Sequence, residues 1–285
     1  MTTPGVPVAV VTDSTAYLPE PLAVAGALTV VPLSVVIDGR AGLEGIEVTP
    51  DQVARALAAR RISVTTSRPS PGQFVEAYAR LLDAGAPGIL SVHLSGRLSG
   101  TYDSAVLAAA RYPGLVEVVD SGSTGMGLGF AALSATGRYD LATARDAAVA
   151  AAARTRVLFY VDTLEHLRRG GRMNAASALF GTALSVKPIL HVVGGEIVVR
   201  DRVRTASRAL AKLADLAVAA AGAPVVDIAI HHLAAPDRAA ALLEELKVRL
   251  AGRLGDCYLS EVGAVVGAHV GPGLVCAIVH NRASD

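Results

Sequence analysis

Hydrophobic positions in the first half of the chain follow two alternating patterns. Short runs rich in β-branched residues predict strands, and longer stretches with an apolar face predict helices between them. The predicted strands are Val8–Thr12, Gly88–His93 and Val116–Asp120, and the predicted helices are Pro50–Arg60, Pro71–Ala84 and Thr101–Arg111. This order is typical of α/β proteins, so we predict a Rossmann-like, mostly parallel sheet with helices on both faces.

Two of these helices have strong start signals. Thr49 and Ser70 each offer a hydroxyl N-cap, a proline follows each of them, and a glutamine stands three residues further on. This is the pattern of a capping box combined with proline at the first helical position. We therefore predict that both helices begin directly after these hydroxyl residues.

The second half of the chain has a different pattern. An Ala-rich segment predicts a helix that ends at Arg154, and a new apolar run follows it. Further along, Gly194-Gly195 predicts a two-residue hairpin. The predicted elements are the helix Asp140–Arg154, the strands Val157–Val161, Ile189–Val193 and Glu196–Arg200, two amphipathic helices, and strands near Val225–Ile230 and Gly273–Val279. We predict two domains, residues 1–154 and 155–285, the second being α+β with a mixed sheet.

Composition bears on where the protein works. Hydrophobic residues make up 52% of the chain and charged residues 18%, yet no apolar run reaches the roughly 18 residues of a membrane-spanning helix. The longest run, Leu22–Ile37, contains Thr29, Pro32 and Ser34, which favours a helix end followed by strands. The segment Met1–Pro7 lacks the charge and apolar pattern of a secretion signal. We expect a cytoplasmic protein with no transmembrane segment.

Charge and aromatic content argue against a nucleic-acid partner. The formal net charge is +1, aromatic residues make up 4% of the chain, and tryptophan is absent. Such a chain offers neither a basic surface nor a set of stacking platforms. Cys257 and Cys276 lie too far apart in sequence for a local metal-binding pair, so we interpret them as small core residues and expect no metal.

Several catalytic motifs are incomplete. The glycine-rich run Gly122–Gly129 lacks the Lys-Ser/Thr ending of a phosphate-binding loop, and we interpret it as a tight turn into a close-packed helix. No Gly-x-Ser-x-Gly or His-Glu-x-x-His sequence is present. His231 and His232 are neighbours on a predicted strand and therefore point to opposite faces. Asp13 and Asp120 follow strands and precede serines, which favours turn or cap roles and leaves acid or base chemistry as an alternative.

Four segments place hydroxyls, glycines and cations after strands or turns: Thr65–Pro71, Leu94–Thr101, Arg168–Arg172 and Gly267–Gly273. Ligands of α/β sheets bind in the crevice beyond the carboxyl ends of the strands. Hydroxyl, glycine amide and guanidinium donors suit a carboxylate or a phosphate. Each segment, taken alone, can also be explained by an ordinary structural role. These residues therefore predict an anion pocket only if the four segments lie close together in the folded protein.

Several motifs, taken together, resemble those of the DegV family. They occur in family order along nearly the whole chain, at Val11–Thr15, Thr66–Pro71, Leu98–Ala105, Asp120-Ser121, Thr163–Arg172, Lys187–Leu190 and Gly267–Gly273. The resemblance implies a protein that holds one long-chain fatty acid between two α/β domains. It also implies a carrier that is not itself an enzyme and needs no cofactor. In this reading the carrier presents the carboxylate to an ATP-dependent fatty-acid kinase subunit, which forms an acyl phosphate for phospholipid synthesis. Transient membrane contact is compatible with that role.

The resemblance also assigns residues. Thr66 and Ser95 are expected to hydrogen-bond the carboxylate, and Arg172 and His269 to stand near it. Secondary binding positions are Ser67, Gly96 and Ser99, and Arg204 is a candidate contact for the kinase.

Two positions depart from the family pattern: Arg68 stands where glutamine is common, and Gly96 where a second serine is common. We expect the Arg68 side chain to point to solvent; the alternative is that it changes the charge of the pocket.

Two other functions stay open at this stage. One is a stand-alone enzyme for a small carboxylated or phosphorylated substrate, with Asp13, Asp120 or His269 as acid or base. The other is a regulatory module whose ligand controls partner binding.

Overall fold

The computed structural model describes residues 5–25, 28–59, 62–173 and 186–283. In chain order, the strands are β1 (Ala9–Asp13), β2 (Thr29–Val31), β3 (Ser34–Ile37), β4 (Arg40–Leu43), β5 (Val64–Ser67), β6 (Ile89–His93), β7 (Val116–Asp120), β8 (Thr155–Tyr160), β9 (Lys187–Val193), β10 (Glu196–Val203), β11 (Val226–His232), β12 (Leu254–Glu261) and β13 (Val275–Asn281). The helices are α1 (Glu20–Ala25), α2 (Pro50–Ala58), α3 (Pro71–Asp83), α4 (Thr101–Ala109), α5 (Met126–Ser134), α6 (Leu141–Arg154), α7 (Glu165–Arg169), α8 (Ala206–Ala220), α9 (Pro236–Arg249) and α10 (Ala264–Val270).

These elements group into two compact units. The first unit contains residues 1–33 and 68–153, and the second contains residues 34–67 and 154–285. Among the described elements no helix is both long enough and apolar enough to cross a membrane.

The first unit is built on a parallel sheet. Its strand order among the described residues is β2-β1-β6-β7, and every neighbouring pair is parallel. Alternate side chains point to opposite faces: Val10 and Leu90 pack with α5 and α6, whereas Val11 and Ile89 pack with α3 and α4. The predicted parallel α/β sheet with helices on both faces is confirmed.

Local signals set several element bounds. The capping boxes predicted at Thr49 and Ser70 are present, and α2 and α3 begin directly after them. Helix α2 ends at Ala58, and Arg60, its predicted end, lies outside the described residues. The glycine-rich run ends as interpreted, in a turn that leads into the buried helix α5.

The second unit contains a mixed sheet with the order β10-β9-β8-β13-β11-β12 among the described residues. Strands β11 and β12 are parallel, and the other neighbours are antiparallel. The predicted hairpin at Gly194-Gly195 joins β9 to β10. Helices α8 and α9 bury their apolar faces in one cluster with this sheet, around Leu213, Ile228 and Leu242. This arrangement confirms the mixed sheet predicted for the α+β second half.

The division of the chain differs from the predicted boundary in one respect. The predicted boundary assigns residues 34–67 to the first domain, but they group with residues 154–285. They form a separate antiparallel sheet, β4-β3-β5, together with α2. Helix α10 packs on α2 and β5, and the backbone N–H of Val265 donates to Glu44. These long-range contacts place residues 34–67 in the second unit.

Candidate functional site

Ser95 lies in a tight loop directly after β6. The residue is fully buried. Its N–H donates to the Ser123 carbonyl at 2.9 Å, and its carbonyl accepts from the N–H groups of Leu98 and Ser99. Its hydroxyl accepts from the Arg97 N–H at 3.2 Å. The loop is therefore held by its own backbone, and the Ser95 hydroxyl has a defined position at the carboxyl end of the parallel sheet.

The neighbouring predicted positions belong to the same unit. The N–H of Gly96 donates to the Asp120 carboxylate at 3.1 Å, and the same carboxylate accepts from Gly122. Ser99 stands directly before Gly100, the N-cap of α4. The Ser99 hydroxyl lies 2.9 Å from the hydroxyl of Thr101. Asp120 thus acts as a backbone acceptor that fixes two loops, in agreement with the turn interpretation.

Arg68, one of the two departures, is exposed. Its guanidinium nevertheless lies against Gly100 and donates to the Gly100 carbonyl at 3.5 Å. The side chain is therefore exposed to solvent, as expected, and lies over the start of α4.

A buried polar chain beneath this loop escaped sequence analysis. The Tyr78 hydroxyl donates to Ser91 at 2.8 Å, Ser91 lies 2.7 Å from His93 Nε2, and His93 Nδ1 lies 3.0 Å from Asp13. Since Ser91 accepts from Tyr78, its own proton points to Nε2, which leaves the His93 proton on Nδ1, facing Asp13. Burial raises the pKa of Tyr78 to about 12, which keeps its hydroxyl a donor. All four side chains are fully buried.

Asp13 ties this chain to the Ser95 loop. Its carboxylate also accepts from the Leu94 N–H at 2.9 Å and from the Thr15 N–H and hydroxyl at 3.1 and 2.6 Å. It therefore fixes the end of β6 one residue before Ser95. The signal in the sequence was the alternation of Ser91 and His93 on one face of an otherwise apolar strand.

In the second unit, Thr66 and His269 are in contact. They lie 203 residues apart in sequence, and Thr66 Oγ1 is 2.8 Å from His269 Nε2. Thr66 stands on β5, where it pairs with the fully buried Val35. His269 lies in the last turn of α10. Two of the four residues assigned to the head-group site thus form a direct pair.

Arg172 is positioned by the end of α7. The N–H of Arg172 donates to Leu167 and that of Gly171 to Arg168, both at 3.1 Å. This is the hydrogen-bond pattern of a Schellman motif, and Gly171 supplies the required left-handed backbone with a φ of 67°. The Arg172 guanidinium donates to the Gly170 carbonyl. The glycine pair Gly170-Gly171, which ends α7, therefore also sets the place of Arg172.

The turn after α7 and the end of α10 interlock. The imidazole of His269 lies on Gly170, and the imidazole of His166 lies on Gly271, in each case where a Cβ atom would overlap the ring. The two motifs Arg168–Arg172 and Gly267–Gly273 thus meet within the second unit, as the pocket hypothesis required of this pair.

Electrostatics keep His269 neutral. Burial, and to a smaller degree the Arg172 charge, lowers the pKa of His269 from 6.5 to about 4. Burial also lowers the pKa of Arg172. A neutral imidazole with its proton on Nε2 can donate to Thr66 Oγ1 and leave the Thr66 proton for an incoming anion. The group therefore offers one hydroxyl donor and one guanidinium without a second positive charge.

The remaining predicted positions and the two adjacent histidines also belong to the second unit. Ser67 is exposed at the end of β5, and Arg204 is exposed directly after β10. His231 is buried and lies 2.9 Å from Ser260, while His232 faces Glu261. Within the described part of the chain, no cluster of three or more metal-ligating side chains occurs. That Ser95, Gly96 and Ser99 meet Thr66, Arg172 and His269 around one ligand stays a prediction.

A parallel-sheet unit with a fixed serine loop, and a mixed-sheet unit with a Thr-His-Arg group, define a two-unit α/β protein with candidate anion-binding loops. The model of the family described as "Uncharacterised protein, DegV family" matches residues 7–281. The chain belongs to the DegV family, as its motifs predicted.

Relatives match over almost their full length. The DegV domain-containing protein SCO2569 of Streptomyces coelicolor is 53% identical over 279 residues, which cover 96% of this chain and 99% of the relative. Among solved structures, the chain is similar to a DegV family protein from Thermus thermophilus that is described by its fatty acid binding. The TM-score is 0.89 and the identity is 33%, and the match covers 97% of this chain and 100% of the Thermus chain. DegV from Bacillus subtilis, described as a fatty acid binding protein, has a TM-score of 0.87 and 31% identity, covering 98% and 100%.

Proposed function

We propose that this protein binds a single long-chain fatty acid and holds its carboxylate at the Thr66, Arg172 and His269 group, with Ser95 as a further donor. The observation that carries the proposal is the 2.8 Å contact of Thr66 Oγ1 with His269 Nε2, beside the turn after α7 that leads to Arg172. The fatty acid binding described for the Thermus and Bacillus proteins supports the same ligand class.

Tail and head group contribute differently to such binding. Burial of about 14 methylenes at ~0.8 kcal/mol each gives a gross gain of about 11 kcal/mol. A charge-assisted hydrogen bond contributes about 1.5–3 kcal/mol. The acyl chain therefore supplies most of the affinity. The polar group fixes orientation and prevents the carboxylate from being buried without partners.

The role that follows is that of a carrier. The fatty acid is presented to a partner ATP-dependent kinase in the cytoplasm, which phosphorylates the carboxylate to an acyl phosphate for phospholipid synthesis. Arg204, exposed beyond β10, is the candidate contact for that partner. The two carboxylates considered as acid or base have other tasks, because Asp13 and Asp120 accept backbone hydrogen bonds that fix loops. This favours a carrier over a stand-alone enzyme.

Two experiments test the proposal in steps. Native mass spectrometry of gently purified protein should find one acyl chain per protein, and titration calorimetry of delipidated protein should detect palmitate or oleate binding. Absence of both would reject fatty-acid binding. Reconstitution with a fatty-acid kinase subunit should then give acyl phosphate only when the carrier is present. Turnover of a small substrate by the chain alone would favour the enzyme, and ligand-dependent association without acyl phosphate would favour the regulatory module.

A further inference from the structure

Glu44 is a buried acid with a long-range partner. The residue is 5% exposed, and its carboxylate accepts from the Val265 N–H at 2.7 Å across 221 residues of sequence. Val265 is the second residue of α10, whose own N-cap, Gly263, makes no side-chain cap. A distant strand end therefore supplies the acceptor that this helix start lacks. A carboxylate is well suited to that place, because it meets the positive end of the helix dipole.

The strand register shows what Glu44 is attached to. Ser34 of β3 pairs with Leu43 of β4 on one side and with Ser67 of β5 on the other. Glu44 follows Leu43, and Thr66 precedes Ser67, so both stand at the same end of the three-stranded sheet. Strands β4 and β5 are two strand spacings apart, about 10 Å.

Helix α10 crosses this end of the sheet. Its second residue bonds to Glu44 beside β4, and His269, four residues later, bonds to Thr66 on β5. Four residues advance about 6 Å along a helix axis, and the side chains cover the rest of the span. The helix is thus held at both ends by one small sheet.

The turn that carries Glu44 is itself fixed. The N–H groups of Ile46, Glu47 and Val48 donate to the Leu43 carbonyl, and the Glu47 carboxylate accepts from the Leu43 N–H at 2.8 Å. Gly267 of α10 lies against Leu233 and close to Val53 of α2. The turn therefore presents Glu44 to α10 as a fixed acceptor.

We propose that Glu44 is a positioning residue that sets α10 across the sheet and so places His269 against Thr66. It acts through His269 and does not touch the ligand. The expected effect of Glu44 on fatty-acid binding rests on the proposed function. Its expected effect on the position of His269 does not.

The test compares Glu44→Ala with Glu44→Gln and with Glu47→Ala in the full chain. The Ala variant removes the acceptor from α10, the Gln variant keeps an acceptor, and Glu47→Ala removes an acceptor from the same turn without touching α10. The first measurement is the ¹⁵N ring chemical shift of His269 in ligand-free protein. We expect it to change in Glu44→Ala and to stay at its wild-type value in the other two. Unchanged shifts in Glu44→Ala, or equal changes in Glu47→Ala, would overturn the proposal.

The second measurement is palmitate affinity. We expect a loss of about fivefold in Glu44→Ala, in the range of a lost helix cap, and less than twofold in Glu44→Gln. In a His269→Ala background, Glu44→Ala should cause no further loss, because its route to the ligand is gone. A full fivefold loss in that background would show that Glu44 acts elsewhere. If wild-type protein binds no palmitate, the proposed function fails, while the His269 shifts still decide the role of Glu44.

A rescue variant separates positioning from simple helix capping, and also covers poor folding of Glu44→Ala. Gly263 has an extended backbone, with φ −68° and ψ 178°, which aspartate can adopt. Adding Gly263→Asp to Glu44→Ala gives α10 a local cap without a bond to β4. We expect stability to recover while the changed His269 shift and weakened palmitate binding persist. Recovery of all three would show that Glu44 is only a cap.

Discussion

The imidazole of His269 lies directly on Gly170, so that the turn after α7 and the last turn of α10 are in van der Waals contact. The opposite pair, His166 on Gly271, repeats the arrangement. In each pair, a histidine ring from one segment fills the space next to a glycine of the other segment, where a side chain would otherwise lie. The position of His269 depends on Gly170 as much as on Thr66.

Replacing Gly170 with alanine should displace that ring. A new Cβ overlaps His269 Nδ1, and overpacking of this kind costs about 1–3 kcal/mol. We expect a melting temperature lower by several degrees and palmitate binding weakened severalfold, measured by calorimetry. Gly252→Ala is the matched control, because nothing lies within 4 Å of its Cβ position. Equal effects of the two variants would contradict the packing argument.

Arg172→Ala should affect ligand binding more than stability. The guanidinium is the cation of the proposed head-group site, and its loss leaves a buried carboxylate with a weaker set of partners. We expect palmitate affinity to fall about tenfold or more, consistent with a charge-assisted bond, and acyl-phosphate formation with a partner kinase to fall with it. Arg168→Ala, an exposed arginine of the same motif, should leave both unchanged. An unaltered kinase rate in Arg172→Ala would remove Arg172 from its proposed role.

Ser95→Ala should act in the same direction with a smaller effect. The variant removes a neutral hydroxyl, whose net contribution is about 1 kcal/mol, and no charge is left behind. We expect a severalfold weaker palmitate affinity in calorimetry, with little change in the urea midpoint. A shifted midpoint with normal affinity would assign Ser95 a structural role through its bond to the Arg97 N–H.

Acid should destabilise the protein, in part through His269. Its pKa is lowered from 6.5 to about 4 in the folded state, so between these values the unfolded chain binds a proton that the folded chain excludes. The free energy of unfolding therefore falls as pH drops through this window, and at pH 5 the His269 contribution is about 2 kcal/mol. Urea unfolding at pH 7 and pH 5 should show a smaller loss for His269→Gln than for wild type. His231, whose pKa burial also lowers to about 4, adds to the loss in both proteins. Identical pH dependence in wild type and His269→Gln would be inconsistent with a neutral, half-buried His269.

The buried polar chain predicts a graded response. Asp13→Asn replaces an acceptor of several hydrogen bonds by a group that brings its own donors, so buried N–H groups lose partners, and we expect a loss of about 3 kcal/mol or more. Tyr78→Phe removes one end of the chain and leaves the Ser91–His93 bond intact, for a loss of about 1 kcal/mol. Chemical denaturation measures both. Similar losses in the two variants would mean that Asp13 is not the main anchor.

The parts of the fold predicted from sequence are those with local causes. Strands β6 and β7 were visible as short β-branched runs, α2 and α3 as capping boxes, and the β9–β10 hairpin as a glycine pair. The grouping of residues 34–67 was not visible, because its causes are the packing of α10 on α2 and β5 and a hydrogen bond that spans 221 residues. Hydrophobic periodicity predicts the secondary structure of a segment, but it does not indicate which distant segment packs against it.

The candidate site divides in the same way. Thr66 and His269 each have an ordinary local reading, and only the family resemblance linked them before their contact was seen. Glu44 gave no signal, since a glutamate between a strand and a turn is expected to be solvated. His93 and Ser91 gave a weak one, as polar residues on one face of a buried strand.

The grouping of residues 34–67 with residues 154–285 also determines how the chain can be assembled and cut. The polypeptide passes from one unit to the other three times, after residues 33, 67 and 153. On the ribosome the first unit has all its residues by position 153, while the small sheet waits for α10, more than a hundred residues later. A protease that cuts once after residue 153 would divide the second unit, because residues 34–67 would stay on the amino-terminal fragment with the whole of the first unit.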